Sequence, residues 1–399
     1  MQANAPTVSS SRFPKVAPNG AVARLLLSFL TTAGFFYINL MPAMVDGLVE
    51  GLGMSNKEAG LVSSANIYGT AFGALAIVFL INKVAWKPIS AGLLIALVMA
   101  DFLSIQLSTA DSLMAVRFIH GLISGTLVGV GFAIIARTTE PDRTFGVLLL
   151  VQFGLGGLGV MLLPPLVPDY GTAALFLSLI TFAVISLFML VFLPDYPVQE
   201  TKKNTTTQGN HTSKTKLLVL TLVTIFLFQA ANMGLYAFII GLGKHFGLNS
   251  EFINPTLGIA AWTGILGSLL VIAFGTRYGR KLPLLFAVLL TFLGTFALHF
   301  SDSKTLFFIA NVGVGVTWAF VMPYLFGMCA EFDSNGRMAA LGGFASKMGL
   351  ASGPLVAALV LGEDNYGLLI NMALLGLAIT VITAVIPASS LDKQGNSEA

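Results

Sequence analysis

Two of the 21 lysines and arginines, Arg117 and Lys347, lie inside long apolar stretches rather than between them. A charge at the centre of a bilayer costs at least ~2.5 kcal/mol on insertion scales, so each is a candidate for binding, ion coupling or pairing. One acid, Asp101, shares that environment, because Asp46 and Glu50 belong to the outer end of the first stretch. The third and fourth stretches form an antiparallel hairpin turning near residue 109. Asp101 and Arg117 are each eight residues from that turn, so the spacing predicts an ion pair at one depth, either structural or proton-coupled. His120, three residues after Arg117, is the one histidine well inside the membrane, and imidazole titrates near physiological pH. It is read either as a coupling group or as a neutral, hydrogen-bonded cavity residue. Lys347 has no acid partner of this kind. It lies about nine residues into its stretch, ~14 Å deep at 1.5 Å per residue. An ammonium there is a candidate anion ligand, or a structural cation whose stem snorkels.

The elements that must position these residues are twelve apolar stretches, each close to the ~20 residues a helix needs to cross ~30 Å of hydrocarbon. They run 22–44, 60–81, 85–107, 112–136, 144–167 and 172–193, then 217–241, 255–275, 282–300, 305–330, 339–361 and 366–386. Strand alternation is absent, and lipid cannot satisfy free backbone groups, so an all-α polytopic membrane protein is predicted. A composition 56% hydrophobic and only 10% charged excludes an ordinary soluble domain, in which roughly a quarter of residues are charged. The 42 glycines suit close packing of membrane helices. One cysteine, Cys329, excludes an intrachain disulfide and leaves the redox compartment open. The first stretch is too long for a signal-peptide core and is expected to be retained.

With the N-terminus inside, 16 lysines and arginines fall in cytoplasmic segments and three, Lys57, Lys244 and Lys304, fall outside. Both termini are therefore expected in the cytoplasm. The organisation reads as a tail over 1–21, a six-helix bundle over 22–193, a polar cytoplasmic linker over 194–216, a second bundle over 217–387 and a tail over 388–399. Laying the second half on the first at an offset of 194 residues places Arg117 and Gly121 on Asn311 and Gly315, and Asn82 on Thr276. Two such halves are what secondary transporters use to build a site at their interface. Polar and aromatic residues at cavity-type positions include Tyr37, Asn39, Asn66, Tyr68 and Gln152 in the first half. The second half adds Gln229, Asn232, Tyr236, Trp262, Asn311, Trp318 and Tyr324. Each taken alone is more often a packing residue or an interhelical hydrogen bond.

On these features the chain resembles the major facilitator superfamily over all twelve helices. The family's loop motif, roughly D-R-x-G-R-R, is best matched between helices 8 and 9 by Thr276, Arg277, Tyr278, Gly279, Arg280 and Lys281. The copy from Asn82 to Lys87 is degraded. The helix 4 motif R-x-x-x-G is matched by Arg117 and Gly121. The motif G-x-x-x-G-P, absent from helix 5, appears in helix 11 as Gly349 to Gly353 and Pro354. The resemblance implies two six-helix bundles with a central cavity lined in part by helix 11, which would bring Lys347 to the substrate. Tyr37, Asn39, Gln229, Asn232, Tyr236 and Trp318 complete the expected substrate set. Arg117, Asp101 and His120 form the expected coupling or charge-pair set. Arg277, Gly279, Arg280, Lys281, Gly353 and Pro354 form the expected gating set. Neutral Asn82 and Thr276, where the family has an acid, imply a softer cytoplasmic latch, or one in which Arg277, Arg280 and Lys281 meet Glu140, Asp142, Glu331 or Asp333. The missing Gly-Pro in helix 5 counts against an antiporter.

The expected function is secondary active transport of a small solute by alternating access, coupled to protons. The scarcity of intramembrane acids beside Lys347 favours an organic anion such as a carboxylate. The alternatives are a proton-driven efflux pump for hydrophobic or amphipathic compounds and, as a different class, an intramembrane enzyme or sensor on a transporter-like fold. No Walker-type loop, H-E-x-x-H or Cys/His cluster is present, so neither ATP hydrolysis nor a metal or other cofactor is expected. The expected partners are a small-molecule solute, the lipid bilayer and protons, with no nucleic acid. A monomer in a bacterial inner membrane is the expected state.

Overall fold

The structure is a computed structural model that describes residues 14–81, 84–197, 211–274, 277–331, 337–362 and 364–398. Its helices, in chain order, are α1 (Ala21–Asn39), α2 (Met41–Leu52), α3 (Asn56–Val78), α4 (Trp86–Ile105), α5 (Ala110–Ile135), α6 (Pro141–Leu162), α7 (Val167–Tyr170) and α8 (Ala173–Leu190). The second half holds α9 (His211–Ala237), α10 (Ile239–His245), α11 (Ser250–Phe274), α12 (Lys281–Ala297), α13 (Lys304–Glu331), α14 (Arg337–Leu361) and α15 (Tyr366–Glu398). Among the described residues, twelve spans are long and apolar enough to cross a membrane.

Four boundaries differ from the expectation. The first stretch is not one helix but α1 and α2, separated at Leu40 (φ −94°, ψ 10°). Pro42, in the first turn of α2, has no N–H to continue the ladder of α1, and a proline is tolerated at just such a start. The seventh stretch divides in the same way at Phe238 (φ −108°, ψ 12°), with no proline to account for it. The end of the expected linker is helical from His211, and α15 runs past residue 386 to Glu398.

Glycine governs how closely the helices approach. A Cβ on Gly121 would lie 2.0 Å from the Asn66 carbonyl oxygen, and one on Gly125 would lie 2.0 Å from that of Thr70. From the other side, Gly69 and Gly73 meet the carbonyls of Phe118 and Leu122. Two four-residue glycine spacings thus face each other across α3 and α5, and any side chain there would force the backbones apart. The second half repeats the device across α11 and α13 with Gly267 and Gly315. Apolar side chains such as Phe102, Phe188, Ile272 and Phe286 point outward, as lipid requires.

The two halves meet along two seams. In one, α3 packs on α14, where Tyr68 and Ser352 share a 2.8 Å hydrogen bond and Phe72 meets Phe344. In the other, α6 packs on α11, where Gly157 and Gly258 approach backbone to backbone and Trp262 Nε1 donates to the Gly154 carbonyl at 3.0 Å.

Candidate transport site between the two halves

The expected ion pair is present and wholly enclosed. Arg117 Nη1 donates to Asp101 Oδ1 at 2.7 Å, and both side chains are 1% exposed or less. The guanidinium also donates to the Ala100 carbonyl at 3.0 Å and to Ser104 Oγ. The rings of Phe176 and Tyr37 lie 5.0 and 5.7 Å from it. A charge this deep persists only when it is paired and hydrogen-bonded, and all of these partners belong to the N-terminal half.

His120 corrects an expectation, because it does not face a cavity. It is 3% exposed, with Nε2 3.4 Å from Asp101 Oδ1 and Nδ1 2.8 Å from Asn66 Nδ2. The same Asn66 Nδ2 donates to the Arg117 carbonyl at 3.1 Å, which fixes it as the amide's nitrogen end. Nδ1 must then accept, so the ring is neutral with its proton on Nε2, directed at Asp101. Tyr37 is likewise turned inward, 2% exposed, with its hydroxyl 3.4 Å from Ser63 Oγ. It packs on Arg117, not on an open site. Asn232 Nδ2 donates to the Phe228 carbonyl of its own helix at 2.8 Å. That back-bond uses one amide N–H and leaves the Asn232 carbonyl oxygen and its second N–H for other contacts. Asn39 ends α1 beside Gly156, its amide nitrogen buried without a partner among the described residues.

Lys347 sits between the halves. Its Nζ lies 4.8 Å from the centre of the Phe35 ring, so a cation on α14 rests on an aromatic face presented by α1. Among the described residues no carboxylate pairs with it and nothing accepts its hydrogen bonds. Its neighbour Ser346 anchors a polar chain in which Gln229 Nε2 donates to Ser346 Oγ at 2.7 Å and Trp318 Nε1 donates to Gln229 Oε1 at 2.6 Å. Tyr236 stands edge-on to Trp318 with centroids 5.9 Å apart. Three expected residues, Gln229, Tyr236 and Trp318, are therefore joined in one chain of contacts that ends on Ser346, the residue before Lys347 in α14. Phe35 and Ser346 were missed, since a phenylalanine among 31 and a serine carry no distinguishing signal.

The loop residues Gly279, Arg280 and Lys281 of the expected gating set bind their own half. Gly279 adopts φ +68°, and the turn it allows directs the Arg280 and Lys281 amides to Asp392 at 2.8 and 2.9 Å. The Arg280 guanidinium meets Glu331 at 2.5 Å. Arg277 and Lys281 have exposed side chains. Glu140 pairs with Arg24 and Arg143, while Asp333 and the Asp142 side chain lie outside the described residues. Gly353 packs on the Ala230 carbonyl within the C-terminal half, and the Pro354 carbonyl faces Gly60 across the seam.

An ion pair that the sequence reading did not anticipate joins the halves at the end expected to face outward. Lys244 Nζ on α10 contacts Asp46 Oδ1 at 2.7 Å and Glu50 Oε1 at 3.2 Å, both on α2. Asp46 and Lys244 are 198 residues apart, as are the breaks at Leu40 and Phe238, so repeat-related positions pair with each other. Burial raises the Asp46 carboxyl above its ordinary value despite Lys244. Burial opposes the Lys244 charge, yet the two carboxylates hold its pKa above the ordinary value. Both groups thus bind protons more tightly in the latched form. That form gains stability as pH falls through the raised Asp46 pKa and loses it as pH rises through that of Lys244. Ala237 lines the adjoining cleft of about 210 Å³. In an Ala237→Cys variant, labelling by an impermeant thiol reagent is expected to slow or hold steady as pH drops from neutral, and to quicken when Lys244→Ala is added. Faster labelling on mild acidification would contradict this sign.

Twelve spans in two repeated bundles, with an uncommitted cation between them, define a helical membrane transporter rather than an enzyme. The Major Facilitator Superfamily profile matches residues 25–358, and the chain belongs to that family. Two solved structures of the nucleoside transporter NupG are similar in fold. One has a TM-score of 0.72 at 14% identity over 92% of this chain and 98% of that one. The other, a point mutant, has 0.68 at 16% over 92% and 99%. A search of curated proteins returned no match.

Proposed function

We propose that this protein carries a small organic anion across a bacterial inner membrane by alternating access, coupled to protons, and that Lys347 is the group that binds the anion. The observation that carries this reading is the Lys347 ammonium between the halves, unpaired among the described residues and resting on Phe35. A cation enclosed in this way gains most from a ligand of opposite charge. The seams and the Lys244 latch support a form closed at the outer end, with the substrate site facing the cytoplasm. The family's nucleoside transporters make uridine the natural neutral competitor in any test.

Coupling is assigned to Asp101 and His120, where an imidazole N–H faces a carboxylate at 3.4 Å; an added proton sits on Asp101 or, once the Asn66 amide releases it, on His120 Nδ1. In proteoliposomes, His120→Gln is expected to abolish uptake driven by a pH gradient while leaving exchange of internal for external solute intact. Gradient-driven uptake at the wild-type rate would remove His120 from the coupling role.

A further inference from the structure

The charge and the walls of this site narrow the solute class. We propose that the solute is a monoanion whose single carboxylate is carried on an aromatic ring, benzoate being the simplest member. This rests on the anion reading above and deepens it.

The first argument is the charge available. Arg117 is committed to Asp101, the Ala100 carbonyl and Ser104, and the His120 ring is committed to Asp101 and Asn66. Among the described residues this leaves Lys347 as the one uncommitted cation away from the ends of the spans. One carboxylate neutralises it. A second would enter the same poorly solvated space with no partner.

The second argument is what the walls offer. Gln229 spends its amide nitrogen on Ser346 and its oxygen on Trp318, while the Trp318 N–H is spent on Gln229. These residues satisfy one another and leave few donors for a body rich in hydroxyls, such as a sugar. What remains is ring surface: Phe35 from α1 against Lys347 itself, and the edge-on pair Trp318 and Tyr236, tied through Gln229 to Ser346, the residue before Lys347 in α14. A flat apolar body packs on such faces in offset or edge-on geometry. The Tyr236 hydroxyl, which has no partner among the described residues, leaves room for one polar contact.

The third argument is how Lys347 is held when the site is empty. A ring face attracts an ammonium less strongly than a carboxylate would, so an incoming carboxylate can take Lys347 from Phe35 without displacing an acid. The aromatic body of the solute then replaces the cation against the Phe35 ring.

The test is binding to the purified full-length protein in nanodiscs, at one pH and ionic strength, of benzoate, acetate, isophthalate and benzamide. Benzoate is expected to bind at least ~10-fold more tightly than each of the others, which lack the ring, double the charge or remove it. Lys347→Met is expected to lose benzoate binding, and the four-probe comparison on the unaltered protein stands even if that variant does not fold. Acetate or isophthalate binding as tightly as benzoate would overturn the inference and leave the anion reading standing. Benzamide matching benzoate, or benzoate binding unchanged in Lys347→Met, would overturn both. If none of the four binds, the inference is overturned.

Discussion

Lys347→Met is expected to weaken binding of the transported anion by roughly 30-fold or more. Truncating one member of a desolvated charge pair costs at least ~2 kcal/mol. Methionine keeps most of the length and apolar stem of lysine, so packing on Phe35 persists and the loss reports the ammonium. The variant should fold at least as well as the parent, because it removes a charge that no described acid compensates. Lys347→Arg separates charge from shape: a guanidinium restores attraction but is too broad for a site set by a single amine, so partial recovery is expected. Binding in nanodiscs and thermal unfolding of the same samples distinguish the two effects. Unchanged anion affinity in a folded Lys347→Met protein would end the assignment.

The second large effect concerns stability. Asp101→Asn leaves the Arg117 guanidinium, fully buried between Phe176 and Tyr37, without its counter-charge. Breaking a buried pair from one side costs about 3–5 kcal/mol. Arg117→Gln is expected to be similarly damaging, because Asp101 then keeps only His120. The combined Asp101→Asn, Arg117→Gln variant should be more stable than the sum of the two single losses predicts, since no charge is stranded. Unfolding midpoints measured by size exclusion after heating would show this pattern. Near-parental midpoints for both single variants would mean that the pair is not a structural centre of the N-terminal half.

Much of this architecture was legible because a bilayer imposes one strong rule. Apolar length placed all twelve spans, and residue counting along one hairpin placed Asp101 opposite Arg117. Gln229, Trp318 and Tyr236 read as cavity-type residues in the sequence, and the structure links the three to one another and to Ser346, next to Lys347 in α14. What escaped depends on rotation about helix axes and on how the halves dock. Hydropathy gives depth but not azimuth, so His120 and Tyr37 were expected at a cavity that they turn away from. Asp392 sits 111 residues beyond Lys281 and becomes its partner only because α15 runs past the membrane-length segment to meet the loop. The Asp46 and Lys244 pair was hidden for a further reason. Each lies on a short helix that follows the first span of its half after a backbone break, and one of those breaks has no proline to announce it.

The central claim is that Lys347 binds an organic anion that crosses the membrane unchanged. It is tested most directly by counterflow in proteoliposomes, loaded in turn with unlabelled carboxylates and with uridine and exposed to the labelled compound. The account predicts transient accumulation of labelled carboxylate, chemically intact, in the parent and its loss in Lys347→Met. Exchange of uridine but of no carboxylate, or equal carboxylate exchange in the two proteins, would contradict it.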